Sequence, residues 1–366
     1  MIAEERALRH AYDATHRRQH ACVEGLEVVN QSSEGTGGPL ELLFDTIFGF
    51  QRTKVLKAAL ELDVFTSIAD GADTAIALAQ RSETSERGMR ILCDYLAALG
   101  FLEKTSGRYA LTRSSAFLNK KSRAYIGAAA EFLISREQIE PFEELTTAVR
   151  KGGVVAGEGV VAPDHAGWVK FGRAMAPLMA RPAQLLADLI AADAEPSLRI
   201  LDIAAGHGLY GISIARRNRN AEIVAVDWPD VLEIARENAR AASLADRFRT
   251  IPGNAFEVDY GWGYDLVLLV NFLHHFDLET AGEICRKVYR ALKDGGRVAI
   301  VEFIPDQDRT SPQIAVQFSM TMLATTPRGD AHTYSDYDRL LRNSGFSSST
   351  VDELPRTLLR VVLARK

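Results

Sequence analysis

The stretch Leu198–Ala215, LRILDIAAGHGLYGISIA, constrains this chain more than any other. An apolar run ends in Asp202, a turn of small residues follows, and apolar residues then recur at helical spacing, which predicts strand, glycine turn and helix. Gly206, Gly208 and Gly211 let the backbone turn tightly, let a ligand approach without meeting a Cβ, and let the helix pack closely on its strand. A nucleotide-like ligand is expected at this turn.

The pattern continues to the C-terminus. Strand AEIVAVD precedes helix PDVLEIARENARAA, and strand RFRTIPG precedes a short acidic segment. Strand YDLVLLV precedes helix DLETAGEICRKVYRALK, which is expected to end at Asp294-Gly295-Gly296, and strand RVAIVEF follows. Near-continuous apolar strands separated by helices predict an α/β fold with a doubly wound parallel sheet covered on both faces. FSSSTVDELP and TLLRVVLARK lie too close together for a parallel crossover and are expected to form an antiparallel pair at the sheet edge.

A chain of 366 residues is expected to hold more than one domain. Residues 1–39 read as a helical extension and linker, closed by NQSSEGTGGP. Residues 40–122 have the order of a winged helix: a short helix, a turn around Ser82–Ser85, a helix Glu86–Leu99 stopped by Gly100, and strands FLEK and RYALT about Thr105-Ser106-Gly107. The second of these helices carries Glu86 and Asp94 beside Arg87 and Arg90 and is otherwise mostly apolar, so packing or dimerisation fits it better than DNA reading. Residues 123–190 read as a helical connector interrupted by the glycine-rich KGGVVAGEGVVAP, and 191–366 as the ligand-binding domain. In the connector Trp168, Phe171, Met175 and Met179 share one helix face, either as core or as the lining of an apolar pocket for a flat ligand.

A net charge of −5 supplies no basic field, which disfavours nucleic acid as a partner. Cys22, Cys93 and Cys285 have neither metal nor redox spacing and fit a reducing compartment. The charged N-terminus lacks a signal-peptide core, and no run of ~18 apolar residues exists, so no membrane partner and a cytoplasmic location are expected.

Gly206-x-Gly208-x-x-Gly211 with Asp227 at the second strand end also fits a dinucleotide fingerprint, which keeps a NAD dehydrogenase in contention. Three features point elsewhere. Asp202 beneath the turn would repel a pyrophosphate but attract an ammonium group; the sheet ends in an antiparallel pair; and Trp228 and Phe256, with Asn254, flank the adenine position.

LDIAAGHG, AVDWPDV, PGNAFEVD, NFLHHFDLE (where relatives have a His-Asp-Trp run) and LKDGGRVAIVEF together carry a family resemblance. From about Leu40 onward the chain resembles the class I S-adenosylmethionine-dependent small-molecule O-methyltransferases, the family of the caffeate, acetylserotonin, polyketide and phenazine enzymes. The resemblance implies a Rossmann-like sheet with an antiparallel C-terminal hairpin, a mostly helical winged-helix domain that forms a homodimer, S-adenosyl-L-methionine as cofactor, S-adenosyl-L-homocysteine as product, and no metal. It places Asp202, Ala204, Gly206 and Gly208 at the methionine part and Asp227 at the ribose hydroxyls. Trp228 and Phe256 flank adenine, Asn254 replaces a common Asp, and Ala255 and Asn271 complete the cofactor set.

Methyl transfer to a phenol, whose pKa is about 10, calls for a positioned base. His274 aligns with the family's catalytic histidine and Glu302 with the acid that orients it. His275 is adjacent, and spacing alone does not say which imidazole faces the acceptor, or whether both merely pack or cap the next helix. A second acid expected before Thr333 is missing: Ala331 stands there, between Asp330 and His332. Trp168, Phe171, Met175, Met179, Phe318 and Met322 are the expected acceptor contacts. The resulting expectation is a homodimeric O-methyltransferase acting on a hydroxylated aromatic or polyketide-like small molecule. The alternatives are a C- or N-methyltransferase, a relative using the cofactor for another reaction, a NAD dehydrogenase, or a winged-helix regulator.

Overall fold

The computed structural model describes residues 39–162, 167–190 and 197–366. The expected extension, apart from its last residue, lies outside them, as does Cys22. The chain divides into two compact units between Ser135 and Arg136.

The first unit holds α1 (Pro39–Ile47), α2 (Gly49–Glu61), α3 (Val64–Ala69), α4 (Ala75–Arg81), α5 (Glu86–Ala98), β1 (Leu102–Thr105), β2 (Arg108–Leu111) and α6 (Gly127–Leu133). The side chains of Thr74 and Ser85 accept from Ala77 N and Gly88 N and so fix where α4 and α5 begin. β1 and β2 pair from Leu102↔Leu111 to Thr105↔Arg108 across Ser106-Gly107, both at positive φ, as a tight hairpin requires. The hydroxyl of Tyr109 on β2 donates to Asp94 on α5 at 2.7 Å, and Arg90 and Lys104 also bind that carboxylate. Asp94 thus holds helix to hairpin, over a core of Leu60, Phe65, Leu78, Met89, Cys93 and Leu96. By contrast α1, the turn after it and the start of α2 expose Leu40, Leu42, Leu43, Phe44, Ile47, Phe48 and Phe50.

The second unit begins with α7 (Arg136–Ile139), α8 (Leu145–Lys151) and α9 (Gly167–Leu189). Then alternate β3 (Arg199–Ile203), α10 (Leu209–Arg217), β4 (Glu222–Asp227), α11 (Pro229–Ala241), β5 (Phe248–Pro252), β6 (Tyr264–Val270), α12 (Leu278–Ala291) and β7 (Leu292–Glu302). α13 (Gln313–Thr325), α14 (Tyr334–Asn343), β8 (Ser349–Glu353) and β9 (Arg360–Arg365) complete it. The sheet order is β5-β4-β3-β6-β7-β9-β8; the first five strands are parallel, while β9 runs antiparallel between β7 and the edge strand β8. Every residue of β3 except Arg199 is buried, as expected of a strand covered on both faces.

One boundary differs from expectation. α12 stops at Ala291, because Leu292 already pairs with Tyr264; a register shift then carries Asp294–Gly296 before Arg297 pairs with Leu266. The glycines serve a bulge inside β7, with Gly295 at φ +75°, instead of a helix end. The chain order reverses between β3 and β6, and strand ends there meet in a crevice.

Candidate active site

Five strand ends build the site. Asp202, at the end of β3, is buried, and its Oδ2 accepts from Gly211 N at 3.3 Å. That contact exists because Gly211 packs directly on β3 and β4: a Cβ there would lie 3.1 Å from Asp202 Oδ2 and 3.2 Å from Ile223. Asp227, at the end of β4, accepts from Gly206 N at 2.8 Å and Trp228 N at 2.7 Å, which ties the glycine turn to the second strand. Burial pushes the Asp202 carboxyl up to about 7 and the Asp227 carboxyl up to about 6, against the pull of these backbone donors. After β5, Asn254 Oδ1 accepts from Phe256 N at 3.0 Å, and its amide nitrogen donates to Glu257.

After β6 the chain turns through Asn271 at φ +48° into a single 3-10 turn, Leu273–His275. Glu302, fully buried at the end of β7, organises this turn. Its Oε1 accepts from Phe272 N and Leu273 N, both at 2.9 Å, and its Oε2 meets His274 Nδ1 at 2.5 Å. Burial lowers His274 to about 3 and raises Glu302 to about 7. Burial thus favours the neutral imidazole, and where Glu302 is ionised its Oε2 accepts the Nδ1 proton and leaves the lone pair on Nε2. His275 is held in the same tautomer by a different partner: Nδ1 donates to the Phe272 carbonyl at 3.0 Å, and burial again keeps the ring neutral.

A cavity with about 200 Å³ of water-accessible space lies over these strand ends. Its wall includes Asp202, Ala204, Gly206, Asp227, Trp228, Asn254, Ala255, Phe256 and Asn271, together with Trp168, Phe171, Met179 and His275. Asn271 Oδ1 is buried there without a hydrogen-bond partner, and both charged lining side chains are acids. Such a wall suits a ligand that is cationic and rich in hydroxyl donors, with a flat base for the aromatic rings. S-adenosylmethionine meets that description.

Comparison with known proteins decides the family. Residues 44–121 match the O-methyltransferase dimerisation domain and residues 171–347 the O-methyltransferase domain. The chain is 31% identical to 3-hydroxy-5-methyl-1-naphthoate 3-O-methyltransferase of Streptomyces sahachiroi, over 84% of this chain and 89% of that protein. It belongs to the S-adenosylmethionine-dependent O-methyltransferases. Acetylserotonin O-methyltransferase of Mus musculus is 30% identical over 83% of each chain. A crystal structure of a candidate O-methyltransferase from Nostoc punctiforme PCC 73102 superposes with a TM-score of 0.86 at 50% identity, covering 90% of this chain and all of that one. The protein is thus an O-methyltransferase acting on small molecules, and the dehydrogenase and regulator readings fall away.

Six of the residues expected to be catalytic or to contact cofactor or acceptor do not line the cavity of this O-methyltransferase. Gly208, at φ +71°, heads α10 and faces Ala235, where a Cβ would lie 3.0 Å away; its service is to helix packing. Met175 and Met322 are buried. His274 and Glu302 are buried, with Phe318 edge-on to His274 at 4.7 Å and stacked on Phe303. The cavity adds residues that sequence reasoning missed, among them His207, Tyr210, Phe272 and Phe276. The signal for the last two was the aromatic pair bracketing Leu273–His275. At the missing second acid, Ala331 is fully buried, and the Asp330 carboxylate turns to Arg309 at 3.0 Å. Among the described residues no His, Cys, Asp and Glu cluster could hold a metal, and no helix is long and apolar enough to cross a membrane.

Proposed function

We propose that this O-methyltransferase methylates a phenolic hydroxyl on an aromatic or polyketide-like small molecule, with the histidine turn as its acid–base group. Bound S-adenosylmethionine supplies an electrophilic methyl on a sulfonium. Asp202 and the unpartnered Asn271 oxygen would hold the ammonium end, and Asp227 the ribose hydroxyls. Trp228 and Phe256 would flank the base. Ala204, Gly206, Asn254 and Ala255 would form the rest of that wall through backbone and short side chains.

The observation that carries the reading is the pairing of His274, in the turn after β6, with Glu302 at the end of β7. The carboxylate, held by two backbone amides, orients the ring so that Nε2 can take a proton from a phenol as the oxygen attacks. His275 offers a second lone-pair nitrogen at the cavity wall. Trp168, Phe171 and Met179 favour a flat apolar acceptor and exclude water, and Met175, Phe318 and Met322 would extend that surface. The relatives support the class: one is named for a hydroxynaphthoate and one for acetylserotonin. The exposed apolar residues from Leu40 to Phe50, in and beside the dimerisation-domain match, support a homodimer formed through the N-terminal unit.

Incubation with methyl-labelled S-adenosylmethionine and a panel of phenols, carboxylic acids and amines, with products read by mass spectrometry, tests the reading. Label on a phenolic oxygen is the expected result. Label confined to carboxylates or nitrogen overturns it.

A further inference from the structure

The turn that carries His274 and His275 is gripped from two sides. Glu302 takes the amide groups at its start. A segment about fifty residues further on takes the carbonyl groups of its later part: Asp330 N donates to His274 O at 2.9 Å, and His332 Nε2 donates to Phe276 O at 2.9 Å. Because a carbonyl only accepts, the His332 ring carries its proton on Nε2. The ring is buried and lies edge-on to Tyr337 at 5.8 Å. Between these bonds Gly329 sits so close that a Cβ would lie 2.4 Å from His274 O and 3.0 Å from the His275 carbonyl carbon. The segment is itself fixed. Thr326 Oγ1 accepts from Gly329 N at 2.7 Å, and Arg309 binds the Asp330 carboxylate, the Ala331 carbonyl and Asp336 at the start of α14.

We propose that His332 is a positioning residue for methyl transfer: through the Phe276 carbonyl it sets where the histidine turn ends, and so where both imidazoles point. This places an N–H donor one residue beyond Ala331, the position at which a second carboxylate was expected. Glu302 acts on the His274 ring, and His332 acts on the backbone that carries it. The proposal rests on the histidine turn being the acid–base group, and the test separates the two.

Full-length His332→Leu and His332→Gln variants serve the purpose, since the Gln side chain keeps an N–H donor of similar reach. Long-range ¹H–¹⁵N spectra read the imidazoles, calorimetry reads S-adenosylhomocysteine affinity, and turnover is followed with the best phenol of the panel. In His332→Leu the His275 and His274 resonances are expected to shift and kcat to fall about 10- to 100-fold, with affinity held within about twofold. His332→Gln is expected to recover most of both. Gly329→Ala, which presses on the His274 carbonyl and leaves the His332 side chain intact, is expected to lower kcat in the same selective way, and it serves if His332→Leu does not fold. Unchanged imidazole resonances, affinity falling in parallel with kcat, or Gln no better than Leu overturn the proposal. His274→Ala is run alongside: if it turns over like wild type, the acid–base reading fails, and the resonance shifts alone decide the positioning role.

Discussion

Glu302 makes the sharpest residue-level demand on the chemistry. Its Oε1 accepts from two backbone amides, and the proposed mechanism needs its Oε2 ionised to accept from His274 Nδ1. Glu302→Gln would satisfy the amides through its carbonyl oxygen and turn an N–H toward His274 Nδ1, forcing the other tautomer and removing the lone pair from Nε2. On the proposed mechanism kcat is expected to fall about 100-fold or more while S-adenosylhomocysteine still binds, measured by steady-state kinetics beside calorimetry. His274→Ala is expected to give the same separation. The two cofactor-side acids predict a pH effect of definite sign. Burial holds Asp202 near 7 and Asp227 near 6 in the ligand-free site, so at pH 5.5 both are largely protonated. A cationic ligand needs them ionised, and affinity for S-adenosylmethionine is expected to rise from pH 5.5 to 8, with proton release seen by calorimetry in buffers of different ionisation enthalpy. Affinity independent of pH would contradict the assignment of these acids to the cofactor.

At the scale of elements, the contact of α10 with β3 and β4 depends on one missing side chain. Gly211→Ala would bring a methyl to 3.1 Å from Asp202 Oδ2 and 3.2 Å from Ile223, both in the packed centre of the sheet. A loss of about 1–3 kcal/mol in thermal unfolding is expected, with weaker cofactor binding because Asp202 must move. The element pattern was legible where periodicity is strong. β3, β4, β6 and the helices after them follow from apolar runs and their spacing, and the Ser106-Gly107 hairpin follows from turn chemistry. The end of α12 was not legible. Lys293-Asp294-Gly295-Gly296 has the composition of a helix stop, yet pairing of Leu292 with Tyr264 on a neighbouring strand made it a bulge. No local property of those four residues announces a partner thirty positions away.

At the scale of the whole molecule, the exposed Leu42, Leu43, Phe44, Ile47 and Phe50 are more apolar surface than an isolated helix would keep in water. With the dimerisation-domain match that surface predicts a dimer in sedimentation equilibrium, and Leu43→Glu with Phe44→Glu is expected to shift it toward the monomer. A wild-type monomer at micromolar concentration would remove the homodimer from the proposal.

The sequence by itself determined the alternation of elements, the glycine turn, and the acids that end β3 and β4, because strand ends and tight turns are written in local composition. It also placed two histidines and a glutamate at the ends of β6 and β7. Which atoms of those groups meet was a tertiary decision. Parallel pairing of β6 with β7 brings Glu302 to the amides of Phe272 and Leu273 and to His274, and leaves His275 on the cavity wall. The grip of Gly329, Asp330 and His332 on the same turn comes from segments some fifty residues apart. Spacing along a chain specifies the face a side chain takes within one element, whereas the contact between elements depends on how the sheet and its loops close, and the histidine turn lies where three such segments converge.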